Sequence, residues 1–101
     1  MMALKMHHSL AVHPGVWLRQ EIMDPHGVTI EKLVEAFGVS RQSISAIVNG
    51  RAALTEEMAV RFEKAFGVSA DTLIRMQSSH GMAKAREHED QIHVGRVLEA
   101  S

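Results

Sequence analysis

The sequence predicts an all-α domain of five short helices, and three observations carry that reading. Apolar residues recur at helical spacing, as in Ile30, Leu33, Val34 and Phe37 at i, i+3, i+4 and i+7. A serine or threonine stands just before each of four such runs, at Thr29, Ser40, Thr55 and Ser69, where a hydroxyl caps the first turn. The connections are only a few residues long and carry glycine or proline. Each helix is too short to be stable alone, so the apolar stripes must meet in one core.

The first helix opens at His13-Pro14-Gly15, since proline suits a first helical position, where its missing N–H has no partner anyway. Leu18 and Ile22 follow at i, i+4. Asp24-Pro25-His26-Gly27 ends it, because the residue before a proline disfavours helical backbone. Thr29 caps the second helix. At Gly38 the chain must reverse, which calls for positive φ. Ser40 caps the third helix and Asn49-Gly50 ends it. Arg51-Ala52-Ala53-Leu54 leads to the fourth, capped by Thr55, with Glu56 and Glu57 in the first turn, where the helix dipole favours them. Met58, Ala59, Phe62 and Ala65 are its expected inner stripe. Phe66-Gly67 repeats the ending of Phe37-Gly38. Ser69 caps the fifth helix, with Leu73, Met76 and His80 along one side and Gly81 as a weak point. Residues 1–12 read as a flexible arm, residues 13–86 as the domain, and residues 87–101 as a polar tail that could serve dimerisation. Residues 91–98 fit a short strand or a last helical turn equally well.

Composition narrows the function classes. The chain of 101 residues suits one small domain, and with no cysteine it has neither disulfides nor thiolate sites. That fits a reducing cytosol, so a cytoplasmic protein is expected. No apolar run reaches the roughly 20 residues of a membrane span, and the N-terminus lacks the apolar core of a signal peptide. The net charge is -1, unlike that of many DNA-binding domains. The acid is unevenly placed, however. Up to Thr55 there are five Lys/Arg against four Asp/Glu, and from Glu56 onward six against eight.

The third helix is the most informative element. At about 100° per residue, Arg41, Gln42, Ser45, Ala46 and Asn49 fall within an arc of roughly 140°. Ile44, Ile47 and Val48 fall opposite. A helix that merely faces solvent usually carries more Glu and Lys. This one carries residues that hydrogen-bond base edges and phosphates. Two helices with glycine in the turn and a polar second helix form the helix-turn-helix pattern of double-stranded DNA binders.

Flanking motifs narrow this further. His13-Pro14-Gly15, Ile47-Val48-Asn49-Gly50-Arg51, Leu54-Thr55, Ser69-x-x-x-Leu73 and Met76-Gln77 together resemble the HigA-type antitoxins of bacterial toxin–antitoxin modules, within the larger family of Cro/C1-type repressors. The resemblance spans residues 13–86. It implies a five-helix, Cro/C1-type (lambda-repressor-like) domain and a homodimer that binds operator DNA. It also implies that the protein represses its own operon and neutralises a small basic, mRNA-cleaving toxin. The chain departs from the pattern at Leu73, where tryptophan is common, at His80, where an aromatic is common, at Gly81, and at Val34, where alanine is common.

Arg41, Gln42, Ser45 and Asn49 are the candidate base readers. Glutamine can bond adenine bidentately and arginine can do so with guanine; the bland alternative is a solvated face. Ser40 is a cap whose N–H could meet a phosphate. Ser43 lies off the arc and is either helix-capping or phosphate-facing. Arg51 is a candidate phosphate clamp or a free surface arginine. Thr29 and Lys32 open the helix expected to lie across the DNA backbone. The seven histidines lack the spacing of a metal site, so no metal or cofactor is expected. No serine has a nucleophile's setting, so no enzyme is expected. Met58, Met76 and Met82 are expected in the core rather than on a partner-binding surface. The competing function classes are a stand-alone Cro/C1-type repressor and a protein-interaction module that no longer binds DNA. Arg41, Gln42 and Asn49 weigh against the latter.

Overall fold

A computed structural model describes residues 12–99 of the chain. Among them are five α-helices and no strand, so the all-α expectation holds. They are α1 (Pro14–Leu18), α2 (Ile30–Phe37), α3 (Arg41–Val48), α4 (Glu56–Phe66) and α5 (Ala70–Glu87). A π-helical turn, Arg19–Met23, extends α1, and a 3₁₀ turn, Glu89–Gln91, follows α5. The expected arm, residues 1–12, lies outside the described residues except for Val12.

The caps form where hydroxyls stand. Thr29, Ser40, Thr55 and Ser69 accept the backbone N–H of Lys32, Ser43, Met58 and Thr72, each satisfying a donor that the first turn leaves open. Gly38 and Gly67 end α2 and α4 at φ +70° and +80°, a left-handed conformation costly for any side chain.

The apolar stripes close one core. Leu18, Met23, Leu33, Ile44, Ile47, Val48, Leu54, Met58, Ala59, Phe62, Ala70 and Leu73 are all buried. Phe62 is at its centre, with Phe37 edge-on to it at 5.1 Å. Truncating so fully buried a phenylalanine to alanine typically costs about 3–5 kcal/mol. α3 packs against both α1 and α2, while α5 packs along α4 and back onto α1.

Two hydrogen bonds explain residues that look incidental in sequence. Gln77 on α5 accepts the Leu54 N–H at 2.7 Å, fixing the entry to α4. Glu63 accepts the Ala70 N–H at 3.0 Å, fixing the entry to α5.

Several expectations need correction. Ile22 is only half-buried and Met23 takes its place in the core. The π-turn bonds Asp24 N–H to Arg19 O, five residues back, and with that wider turn Met23 rather than Ile22 is the residue buried in the core. Ala65 is exposed and Phe66 packs on the core instead. Ala65 opens onto a surface cleft beside Ala36, Phe37, Arg61 and Lys64, and its single methyl is too short to cross it. Met82 is 49% exposed, not core. It lies six residues from Met76, about 240° around the helix, and so on another side. Gly81 does not interrupt α5. Residues 92–98 are neither strand nor helix.

Candidate nucleic-acid interface

The interface is built on α2, the turn at Gly38 and α3. Leu33 anchors α2, while Ile44, Ile47 and Val48 anchor α3. The helices are thereby held with their polar sides outward. Of the sequence-predicted residues, Thr29, Lys32, Ser40, Arg41, Gln42, Ser43 and Arg51 are exposed, and Ser45 and Asn49 are half-buried.

The N-terminal end of α3 is open. Ser40 accepts the Ser43 N–H at 3.1 Å, and its own hydroxyl donates to Ser43 Oγ at 2.9 Å. Arg41 Nε donates to Glu31 Oε2 at 2.9 Å across the two helices, joining the starts of α2 and α3. Glu31's carboxyl is held below the usual carboxylate range, first by a bond to its own backbone N–H and then by the Arg41 guanidinium. It therefore stays ionised at neutral pH. Both side chains are well exposed, so the pair adds little stability and can exchange partners. The Gln42 amide has no hydrogen-bond partner among the described residues.

The C-terminal end is tied down. Arg19 Nη1 donates to Asn49 Oδ1 at 2.5 Å. Asn49 Nδ2 donates to Ser45 O at 2.9 Å and to Ser45 Oγ at 3.2 Å. Arg51 Nη2 reaches the same hydroxyl at 3.5 Å. Beneath this network α1 meets α3 closely, and a Cβ on Gly15 would fall 2.0 Å from the Ile47 carbonyl oxygen. His13 locks the junction. Its Nδ1 accepts the Gly15 N–H at 2.9 Å, so the proton sits on Nε2, which donates to the Ala52 carbonyl at 2.8 Å. The His80 ring of α5 packs edge-on against it at 5.2 Å. Burial, followed by the neighbouring His13 and Lys84, holds His80 below the usual histidine range.

Three residues outside the predicted set thus shape the site: His13, Arg19 and Glu31. The sequence signalled only the first, through the proline after it. Arg19 and Glu31 act across 30 and 10 residues of chain, a separation that periodicity cannot report. Chemically, the open end presents an amide, a guanidinium and two hydroxyls beside two helix N-termini. Such groups can bond base edges and phosphates. No group of three His, Asp or Glu that could hold a metal ion exists among the described residues.

Known proteins share this architecture. The helix-turn-helix family HTH_3 matches residues 19–73. Virulence-associated protein I of Dichelobacter nodosus is 31% identical over 84 residues, covering 83% of this chain and 78% of that protein. Antitoxin HigA-1 of Vibrio cholerae is 33% identical over 66 residues, covering 65% of this chain and 62% of that protein. Among solved structures, the Pseudomonas aeruginosa antitoxin HigA with higBA promoter superposes with a TM-score of 0.75 at 26% identity. It covers 87% of this chain and 99% of the other.

Proposed function

The chain belongs to the helix-turn-helix family HTH_3, and on that premise we propose that it is a sequence-specific DNA-binding antitoxin that represses its own operon. The observation that carries the DNA reading is the open end of α3. Gln42 is exposed there, with no hydrogen-bond partner among the described residues, beside Arg41 and on the side opposite Ile44, Ile47 and Val48. Arg41 and Gln42 meet base edges, with Ser45 behind them. Thr29, Lys32, Ser40, Ser43 and Arg51 meet phosphates. The likeness to a HigA solved with promoter DNA supports this placement.

One unit reads only a few base pairs, so the protein acts as a homodimer. Its half-sites then lie about 34–36 Å apart. The exposed apolar side chains of Met82, Ile92, Val94, Val97 and Leu98 on α5 and the tail suit such an interface.

The antitoxin role rests on the resemblance and on the HigA relatives. The partner is a small basic, mRNA-cleaving toxin. The exposed acidic run Glu87, Glu89 and Asp90 offers it opposite charge, although Glu89 is already bridged to Arg86 at 2.9 Å.

Titration against the DNA upstream of the gene tests the reading. Gln42→Ala should cost about 1–3 kcal/mol on the operator and relax selectivity at one position. Arg51→Ala should weaken binding to all sequences and lower the salt slope by about one. Truncation after Lys84 should yield monomers in sedimentation and abolish tight binding. Co-purification with the product of a small adjacent gene tests the toxin. Operator binding without co-purification or rescue of growth would leave a stand-alone repressor.

A further inference from the structure

Arg19 lies in the π-turn after α1, outside the helix-turn-helix unit, yet its guanidinium reaches the last residue of α3's polar arc. Asn49 accepts from Arg19 through Oδ1 and spends Nδ2 on the Ser45 carbonyl and hydroxyl. Both ends of the Asn49 amide are therefore occupied within the chain. To pair bidentately with adenine, which takes a donor and an acceptor from the same amide edge, Asn49 would have to share or give up these bonds. It can, however, hold Ser45 Oγ in one orientation, and that oxygen is the one Arg51 approaches.

Stability alone does not account for Arg19. Its Nε is buried and has no partner among the described residues. A buried donor left unmade is destabilising, and an apolar side chain of similar length would fill the place without that loss. What an apolar chain could not do is donate to Asn49 Oδ1.

We propose that Arg19 is a positioning residue for DNA reading. Through Asn49 it fixes Ser45, so Asn49 is a strut of the interface rather than a base reader. The inference rests on the DNA-binding reading above.

The test uses Arg19→Met, which keeps an unbranched stem, with Arg19→Lys as a second variant. Amide hydrogen exchange in the free, full-length protein comes first. Arg19→Met should speed exchange at Gly50, Arg51 and Ala52, whose N–H groups bond to the last turn of α3. Leu33 and Ile44 should stay as protected as in the parent. Unchanged exchange at residues 50–52 would overturn the proposal whether or not the protein binds DNA.

Titrations against operator and scrambled DNA follow. Operator affinity should fall about tenfold, as expected for losing a hydrogen bond to a charged group, with scrambled-DNA affinity and salt slope unchanged. Asn49→Ala should match that loss, and the double variant should lose no more than either single one. Lysine should restore part of the affinity, since it keeps the charge but not the fork. A parallel loss on operator and scrambled DNA would mean a merely structural role and overturn the proposal. A salt slope lower by about one would mean that Arg19 itself holds a phosphate, and would overturn it equally. A parent with no operator preference would instead overturn the DNA-binding reading.

Discussion

The two ends of α3 are built in opposite ways. At its start, Ser40, Arg41, Gln42 and Ser43 are exposed, held only by a cap and an exchangeable ion pair. At its end, Asn49 and Ser45 are half-buried in a network with Arg19 and Arg51, over a backbone contact too close for any side chain. The same eight-residue helix thus combines a free surface with a rigid mount. The difference teaches where binding energy is to be sought. The groups proposed to meet DNA keep only solvent-exposed, exchangeable contacts, and the groups that set the helix's pose are paired inside the protein. Direct readout depends on that division, because a misplaced helix loses every base contact at once.

The largest effect should come from the fixed end. Gly15→Ala drives a methyl into the Ile47 carbonyl, whose oxygen and carbon would lie 2.0 and 2.6 Å away. Backbone on both sides must move, so a cost of about 3 kcal/mol is expected, at the upper end for overpacking. Urea unfolding should show a lower midpoint with an unchanged slope. Ser43→Ala at the open end should fall within about 0.5 kcal/mol of the parent. Equal effects from the two would erase the contrast.

Between these lies Ser40, which belongs to both the helix and its surroundings. Ser40→Ala removes the cap on Ser43 N–H and should cost about 1 kcal/mol. Ser40→Asp keeps a capping oxygen and should hold stability to within a few tenths, yet it places a negative charge where a phosphate is expected. Its operator affinity should therefore fall although its melting temperature does not. A matching fall in both would mean that the open end is structural after all.

The legible parts of this molecule were local. The hydroxyls of Thr29, Ser40, Thr55 and Ser69, the glycines after Phe37 and Phe66, and the apolar side of α3 each announce themselves within a few residues, and the fold follows them. What stayed hidden depends on other elements. The π-turn has no periodicity of its own, so Met23 displaced Ile22 without a sequence signal. Ala65 has the right spacing for the inner stripe, but no neighbouring side chain covers it. Met82 is a different case, because its spacing from Met76 already placed it on another side of α5. At the site, the exposed residues could be read from the wheel of α3, while Arg19's hold on Asn49 could not, because the wheel shows direction and not distance to another helix.

The smallest change in stability, and the sharpest question, concerns Glu31. It is the carboxylate bonded to α3, and at 2.9 Å it holds the guanidinium expected to read DNA. The pair is exposed on both sides, so Glu31→Gln should leave the unfolding midpoint essentially where it is in the parent. Because the carboxyl's range is lowered, its contribution is present above the ordinary carboxylate value and is lost only as pH falls through the depressed one. At neutral pH it is therefore fully charged, and it faces approaching phosphates with the wrong sign. Glutamine keeps an acceptor for Arg41 Nε but removes that charge. Operator affinity should rise a few-fold at low salt, with the gain shrinking as salt screens it. Titration at two salt concentrations checks this. A loss of affinity would mean that Glu31 aims Arg41 as Arg19 is proposed to act on Asn49, and that the start of α3 is as much a mount as its end.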